Sequence, residues 1–178
     1  MDESTLTDIV AKHRAFIRRT LSKLKICARD LADVEQEVVR GIHRGLARFD
    51  PARSESPSNA VRSWIFAICR RQAANHRRAS AKRKEQLRGN DELDLSPGAE
   101  ENGEQRLLEE ERKVLLHRVL KEMNPGQRAV IVAYELEGIA MVDVARMLSI
   151  RVNTAWNRLR LAREQIRAAF RREDGEVP

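Results

Sequence analysis

The sequence predicts an all-α fold of two small helical domains joined by a flexible acidic linker, with a helix-turn-helix in the second domain. Apolar residues recur at helical spacing along much of the 178-residue chain. Only 4% of the residues are aromatic, too few for the strands of a β sandwich. Charge is segregated: residues 70–84 hold seven Arg or Lys and no acid, whereas residues 85–111 hold ten acids and two arginines.

The acidic block predicts the domain boundary. It contains glycines and a proline, and its apolar surface is too small to offset the entropy lost on ordering it. We therefore predict an N-terminal domain over 1–84, an acidic linker over 85–106, a C-terminal domain over 107–172 and a loose tail over 173–178.

Composition limits the classes of partner and compartment. A net charge of +7 and a pI near 10.0 favour a polyanion, either nucleic acid or an acidic membrane surface. The sequence has no apolar run of membrane-spanning length and no signal-peptide pattern at its start, so we expect a cytoplasmic chain. Cys27 and Cys69 lack zinc-site spacing, and we expect both to be reduced, with Cys69 in the core.

Two helices are predicted at the start of the N-terminal domain. Residues 6–26 carry apolar side chains at helical spacing. The second helix is predicted to begin after Asp33 as its N-cap, with Gln36 completing a capping box. Its buried stripe has steps of four or three residues and comprises Val34, Val38, Ile42, Leu46 and Phe49.

A polar stripe follows the same helix at i, i+3, i+4 and i+7. By spacing alone it fits a solvated face as well as a binding surface. It comprises Asp33, Gln36, Glu37 and Arg40.

A third helix is predicted after a loop over residues 50–60, which contains two prolines and three serines. An aromatic ring beside arginine and amide groups can stack an unpaired base and hold its phosphates. Trp64 fits a core position equally well. The residues that share one face of this helix are Trp64, Arg71, Asn75 and Arg78.

Helix signals in the C-terminal domain are sharper. Asn124 is predicted to be an N-cap, Pro125 the first helical residue and Gln127 the partner that closes a capping box. Gly138 is predicted to end this helix. A helix of two turns over 141–148 follows.

A tight break at residues 149–151 separates that short helix from a long basic one, which predicts a helix-turn-helix. Ala145 lies where the two helices approach and a small side chain is needed. Arginine and asparagine read guanine and adenine edges in the major groove, so the final helix fits duplex DNA. A basic solvated helix of a bundle is the other interpretation. The positions expected to point away from the seam are Asn153, Thr154, Trp156, Asn157, Arg158 and Arg160.

Three segments, in order, resemble the sigma subunits of bacterial RNA polymerase, in particular the two-domain extracytoplasmic-function group. "DLADVEQEVVRGIHRGLARFD" resembles the polymerase-binding helix of that family, and "VRSWIFAICRRQAANHRRASAKRK" resembles its promoter-melting helix. "MNPGQRAVIVAYELEGIAMVDVARMLSIRVNTAWNRLRLAREQI" resembles its last domain.

The resemblance implies a sigma factor that binds core RNA polymerase, recognises −35 and −10 promoter elements and promotes DNA melting. It implies that the polar stripe contacts a coiled coil of the largest polymerase subunit, with a further contact to the flap of the second-largest. It implies that the final-helix residues contact the −35 element. The −10 element would be held as separated strands by the loop over 50–60 and by Trp64, Arg71, Gln72, Asn75, His76 and Arg78.

Trp156 stands where the family usually has Lys or Arg, and it could pack on a thymine methyl or against the polymerase. The resemblance also implies an anti-sigma partner, which can hold a sigma factor at the inner membrane face, and a chain that is monomeric when free of partners.

The residue patterns do not indicate an enzyme. We find no nucleophile–base set, no phosphate-binding glycine loop and no metal-ligand spacing, so we expect no catalytic residue, metal, cofactor or small-molecule substrate. Two other functions fit the helix-turn-helix. One is a regulator that binds an operator as a dimer, and the other is a sigma-like decoy that titrates an anti-sigma protein.

Overall fold

Every regular element in the described part of the chain is helical, which confirms the predicted all-α class. The structure is a computed structural model that describes residues 3–54, 59–86 and 104–173. The helices are α1 (Glu3–Lys23), α2 (Ala28–Leu46), a 3₁₀ turn (Pro51–Arg53), α3 (Ala60–Gln86), α4 (Glu104–Glu122), α5 (Pro125–Ile131), a π-helical segment (Val132–Leu136), α6 (Met141–Leu148) and α7 (Val152–Glu173).

Most of the predicted linker lies outside the described residues, because 87–103 fall in the gap between α3 and α4. Residues 55–58 of the predicted loop and 174–178 of the predicted tail also lie outside them. The domain boundaries therefore stay a prediction. None of the helices in the described ranges has an apolar stretch that could cross a lipid bilayer.

The predicted start of α2 is wrong. Asp33 lies inside the helix, which begins at Ala28 with Cys27 as its N-cap. Lys25 adopts a left-handed conformation with φ of 73°, which ends α1 and allows the chain to restart at once. The acid that lies in the first turn is Asp30, where it complements the positive end of the helix dipole.

The core of the N-terminal half forms where α2 packs between α1 and α3. The predicted apolar stripe faces this core, with Val34, Val38 and Ile42 buried. Gly41 allows a close approach to α3, because a Cβ at this position would lie 2.7 Å from Cγ2 of Ile68. The large side chains that are fully buried beside them include Ile17, Leu21, Ile65 and Phe66.

Glu35 is a charged residue on the buried side of α2. Its carboxylate accepts hydrogen bonds from Arg14 Nε at 2.9 Å and from Arg18 Nη1 at 3.1 Å. A buried carboxylate is tolerated when it is paired in this way. Glu35 therefore ties α2 to α1 and leaves the opposite, polar face of α2 open.

The turn from α4 to α5 follows only part of the predicted pattern. Asn124 caps α5 by accepting a hydrogen bond from the Gly126 N–H at 2.9 Å, and Pro125 takes the first helical position. The predicted capping box is wrong, because Oε1 of Gln127 is buried without a hydrogen-bond partner. Arg128 closes the turn instead.

The Arg128 side chain turns back onto the end of α4. Its guanidinium donates to the carbonyls of Leu120 and Met123 and, at 3.2 Å, to that of Lys121. These carbonyls lack intrahelical partners, and a cation is favourable at this end of a helix. Burial and the nearby Arg77 lower the pKa of Arg128 to about 10, so it remains charged at neutral pH.

Gly138 ends the next helix as predicted, with a left-handed φ of 65°. The structure adds a change of helix type before it, since α5 passes into the π-helical segment. The turn is closed by the Ile139 N–H, which donates to the Ala133 carbonyl at 2.9 Å. This geometry leaves Glu137 at the end of the segment with its side chain buried.

We expect Gly41→Ala to lower the free energy of unfolding, measured by urea denaturation, by about 1–3 kcal/mol. Alanine favours a helix over glycine by about 1 kcal/mol. The new methyl would nevertheless meet Ile68 at 2.7 Å, and repacking a tight core site outweighs that gain.

The control is the same substitution in an Ile68→Ala background, which removes the methyl group in the way. There Gly41→Ala should be neutral or stabilising, because only the helix propensity remains. An equal loss in both backgrounds would contradict the close approach.

Candidate nucleic-acid and polymerase interfaces

A groove between α2 and α3 brings together two sets of predicted site residues. It has a volume of about 500 Å³. The polar stripe of α2 forms one wall and residues of α3 form the other. The predicted polymerase contacts and part of the predicted −10 reader are therefore neighbours. The predicted residues that line this groove are Asp33, Gln36, Glu37, Arg40, Gln72, Asn75 and His76.

Polar contacts order the wall that α3 contributes. Asn75 Nδ2 donates to Gln72 Oε1 at 3.4 Å, and Asn75 Oδ1 accepts from Arg78 Nη2 at 3.2 Å. His76 Nε2 lies 3.2 Å from Oδ2 of Asp30, at the start of α2. These contacts order the side-chain amides of Gln72 and Asn75 beside the groove.

Asp30 is a site residue that sequence reasoning missed. The Cys27 thiol donates to its carboxylate at 3.0 Å, and this bond is the main cause that lowers the pKa of Asp30 below its usual range. His76 and Arg29 lower the pKa further, whereas partial burial opposes them. The spacing of Cys27 and Asp30 at a helix start was the available signal.

Trp64 lies apart from the groove. Its ring packs on Phe49 with centroids 4.7 Å apart and a 30° tilt, at the end of α2. Gly45 makes room for it, because a Cβ there would lie 3.0 Å from the indole. Trp64 is half-buried, so it combines a packing role with one exposed edge. The same helix presents Arg71, which is exposed.

Two arginines of the basic run on α3 serve packing instead. Arg77 Nη1 donates to the Leu24 carbonyl at 2.8 Å, and Arg70 Nη2 donates to the Met147 carbonyl at 3.1 Å. They lie on a different face of α3 from Arg71. Burial lowers the pKa of both Arg70 and Arg77.

The predicted helix-turn-helix is confirmed in its helices and its turn. Between α6 and α7, Ser149 adopts a left-handed conformation with φ of 53° and ψ of 44°. The Ile150 N–H donates to the Ala145 carbonyl at 3.0 Å and closes the turn. Ala145, Ala155 and Leu159 are buried in the seam between the helices.

Five of the six predicted final-helix residues are exposed on α7. They are Asn153, Thr154, Trp156, Asn157 and Arg160.

Arg158 corrects the prediction that all six positions point away from the protein. It is half-buried, and its guanidinium packs over Gly126, where a Cβ would lie 3.0 Å from Nη1. Arg158 thus packs on the turn from α4 to α5 instead of pointing into solvent. This side chain contributes to packing as well as to the positive charge of α7.

Arg160 is the exposed arginine at the centre of this face. It contacts Glu164 at 2.6 Å and donates to Asn157 Oδ1 at 3.1 Å. Exposed ion pairs of this kind contribute about 0.2–1 kcal/mol, so a phosphate or base edge can replace Glu164 readily.

Trp156 is 44% exposed on the flank of α7. Its indole makes an edge-to-face contact with Tyr134 of the π-helical segment, with centroids 5.3 Å apart. Next to this pair, Arg163 forms an ion pair with Glu135. The large aromatic surface of Trp156 is therefore held in place and remains accessible.

A second groove, of about 300 Å³, lies between α4, the π-helical segment and α7. Its lining is mainly apolar and also includes the charged residues Glu135, Arg163 and Arg167. The apolar residues that line it are Leu116, Leu120, Ile131, Leu136 and Ile166. Its shape and lining suit an apolar side chain or short helix of a partner.

The described residues do not bring together three or more His, Cys, Asp or Glu side chains as metal ligands. The arrangement can bind polyanions and partner helices through side chains already present.

Comparison with known proteins matches two regions of the chain. A family model described as Sigma-70 region 2 matches residues 9–83, and one described as Sigma-70, region 4 matches residues 113–166. The chain is 26% identical over 166 residues to the ECF RNA polymerase sigma factor SigM of Mycobacterium tuberculosis, in strains Erdman and H37Rv. The match covers 93% of this chain and 76% of SigM.

Two solved structures share the fold. One is the sigma factor RpoE from Bartonella quintana in complex with the anti-sigma factor NepR, with a TM-score of 0.74 and 15% identity over 93% of this chain and 96% of that one. The other is CnrH in complex with the cytosolic domain of CnrY, with a TM-score of 0.64 and 21% identity over 99% of this chain and 92% of that one.

The fold and its surfaces define a two-part helical protein that binds nucleic acid, with a helix-turn-helix in its second part. The two matched regions cover most of the chain in the order that the sequence predicted. The chain belongs to the sigma-70 family and is of the extracytoplasmic-function type.

We expect Ser149→Gly to raise the free energy of unfolding by about 0.5–1 kcal/mol in thermal or urea denaturation. A left-handed conformation costs a residue with a Cβ about 1–2 kcal/mol, and the greater freedom of glycine in the unfolded chain returns part of that gain.

Ser80→Gly in α3 is the matched control. Ser80 lies inside a helix, so the same substitution should lower the free energy of unfolding by about 0.5 kcal/mol. If both variants were destabilised alike, the left-handed turn would not be the reason for the effect at Ser149.

Proposed function

We propose that this chain binds core RNA polymerase, directs it to promoters with −35 and −10 elements and promotes melting of the DNA. The observation that carries the proposal is the order of the two sigma-70 regions along the chain, each of which contains a surface suited to one of these partners. Region 2 holds the groove of α2 and α3, and region 4 holds the helix-turn-helix. The chain acts by binding and positioning, with no catalytic residue, metal or cofactor of its own.

The −35 element is read as duplex by α7. This helix exposes three short polar side chains, which are Asn153, Thr154 and Asn157. It also exposes the longer side chain of Arg160 on the same surface. Asparagine and arginine suit adenine and guanine edges in the major groove. Trp156 offers an apolar surface to a thymine methyl at the edge of the same site, and Arg158 adds charge close to the phosphates.

The −10 element is held as separated strands by α3 and the loop before it. Arg71 and Arg78 supply cations for the phosphates, and the amide of Asn75 lies between them along the helix. Gln72 and His76 line the adjacent groove, and the exposed edge of Trp64 can stack a base. Capture of an unstacked base offsets the free energy of unstacking it, which promotes melting.

Core polymerase is bound through the outer face of α2. This face carries two acids, Asp33 and Glu37, together with Arg40, and it therefore suits a partner surface of mixed charge. The apolar groove between α4 and α7 fits the flap of the second-largest subunit as its second contact. The predicted acidic linker runs between these two anchors toward the active centre of the polymerase.

Regulation follows from the class. The solved neighbour RpoE is a sigma factor in complex with the anti-sigma factor NepR, and we propose such a partner for this chain. The chain works in the cytoplasm, as a monomer when free, and an anti-sigma protein at the inner membrane face would hold it inactive there.

A run-off transcription assay with purified core polymerase tests the proposed function. Promoters are first selected from random DNA by the reconstituted holoenzyme, and we expect initiation only when the chain is present. Tight operator binding by a dimer without polymerase would instead support a regulator. Failure to stimulate polymerase on any selected DNA, with an anti-sigma partner still bound, would support a decoy.

Arg160→Ala should weaken binding of the holoenzyme to its selected −35 duplex by about 1–3 kcal/mol if this side chain reads a base. Specificity should relax at one base pair, because one bidentate contact is lost. Competition binding against duplexes changed at each position measures both effects.

Arg172→Ala, at the exposed end of the same helix, is the control for charge alone. It should weaken binding equally for all sequences, as loss of a phosphate contact does. A uniform loss for Arg160→Ala as well would contradict base reading by Arg160.

Arg40→Glu should weaken binding to core polymerase at least about tenfold, or about 1.4 kcal/mol, because it replaces the one cation of the polar stripe with a third acid. Fluorescence titration of the labelled chain with core polymerase measures the affinity. Arg112→Glu on α4 makes the same change of charge at an exposed site away from α2. Equal losses for the two variants would point to net charge and against the stripe.

A further inference from the structure

The outward face of α2 changes its charge along the helix. The acids of the polar stripe all precede Arg40, whereas residues 41–49, GIHRGLARF, contain two arginines and one histidine but no acid. Arg44 and Arg48 follow Arg40 at steps of four residues, so they continue the same face toward the end of the helix. Both are exposed, and we refer to Arg44 and Arg48 as the arginine pair.

The backbone keeps the two arginines in line. Ala47 has a helical conformation, with φ of −65° and ψ of −19°, and the Arg48 N–H donates to the Gly45 carbonyl at 3.0 Å. Four residues of an α-helix rise about 6 Å, which is close to the distance between neighbouring phosphates of an extended strand. Arg44 Nε donates to the Arg40 carbonyl at 3.3 Å, and this bond does not use its two Nη groups.

The ring of Trp64 lies against the same end of α2, on the side of α3. A Cβ on Gly45 would lie 3.0 Å from the indole, and the ring of Phe49 packs on it. Gly45 and Phe49 directly follow the two arginines in the sequence, so the half-buried indole is a neighbour of the arginine pair. On α3, the exposed Arg71 follows Trp64 by two helical turns on one face. Cations of two helices therefore flank one aromatic ring.

We propose that the arginine pair binds the phosphates of an unpaired DNA strand that crosses from α3 to the end of α2 over Trp64. Stacking of bases on an aromatic ring and contact of cations with the backbone are the two features of a site for single strands. The proposal extends the −10 surface from α3 onto a second helix. The assignment to promoter DNA rests on the proposed function, whereas binding of a single strand does not.

Two other roles would explain the same charges. Cations near the end of a helix stabilise it, because they face the negative end of the helix dipole. An acidic surface of a partner protein would also attract them. Neither role uses the adjacent ring, and neither releases counterions from a nucleic acid. The dependence of binding on salt therefore separates the proposed role from the other two, since each phosphate contact releases counterions.

Fluorescence anisotropy of a labelled single-stranded oligonucleotide of mixed sequence, titrated with the full chain at several salt concentrations, tests the proposal. Each phosphate contact on a single strand contributes about 0.7 to the slope of log affinity against log salt. We expect Arg44→Gln with Arg48→Gln to make this slope shallower by about 1.4. Binding should be about 25-fold weaker at about 0.1 M salt and nearly unchanged at about 1 M salt, because the counterion contribution vanishes there.

Arg112→Gln with Arg118→Gln is the matched control, because it removes the same charge from exposed positions on α4. It should leave the slope unchanged, and circular dichroism should show the same helix content for both double variants. Equal changes of slope in the two double variants would indicate net charge and would overturn the proposed site. A lower melting temperature with unchanged binding would assign the arginine pair to the helix dipole and would also overturn it.

A second measurement uses the holoenzyme on a promoter duplex whose −10 region is mismatched and therefore already unpaired. The Arg44→Gln, Arg48→Gln chain should dissociate from this template faster than wild type, while its affinity for core polymerase stays the same. A loss of affinity for core polymerase with unchanged binding of the oligonucleotide would place the arginine pair in the polymerase interface and overturn the proposal.

The two proposals fail in different ways. A wild-type chain that does not bind the oligonucleotide at low salt would overturn the single-strand site and would leave the run-off assay unaffected. Failure of the wild type to initiate in the run-off assay would count against the proposed function and would leave the anisotropy result standing.

Discussion

The burial of one apolar face of α2 between α1 and α3 is the constraint on which the molecule depends. Val38 and Ile42 are fully enclosed, and Gly41 lets the side chain of Ile68 on α3 approach closely. The apolar stripe and the polar stripe lie on different faces of α2. When the apolar face is buried, the polar stripe therefore faces outward. It also sets α3 alongside that stripe, which creates the groove. A surface for partners thus results from the packing of a core.

The same logic applies to the second half on a smaller scale. Ala155 and Leu159 face the seam of the helix-turn-helix, so the short polar residues of α7 face away from it. The small side chains of Ala145 and Ala155 are buried between the two helices and allow them to pack closely. The positive charge of α7 then adds long-range attraction to polyanions. Packing of the seam determines which side chains of α7 face outward, and the positive charge of α7 favours a polyanionic partner.

Sequence periodicity was sufficient for the helices, the polar stripe and the outward face of α7 apart from Arg158, because each depends on residues a few positions apart. It failed at local choices with several solutions. Asp33 and Gln127 both fit a capping pattern, but Lys25 restarts the chain earlier and Arg128 satisfies the turn by another route. It also could not predict the partners of Glu137, since pairing with Lys23 spans 114 residues and leaves no periodic trace.

The five-residue π-helical segment links two surfaces that otherwise have separate roles. Tyr134 supports the indole of Trp156, and two residues further on Leu136 lines the apolar groove. A partner that binds the groove and displaces this segment also moves Tyr134, and with it the ring contact that supports Trp156. By thermodynamic linkage, DNA that prefers one position of Trp156 would in turn alter the affinity of the groove for its occupant by the same factor. The preference of α7 for DNA and the affinity of the groove for its partner would then both depend on the position of the π-helical segment.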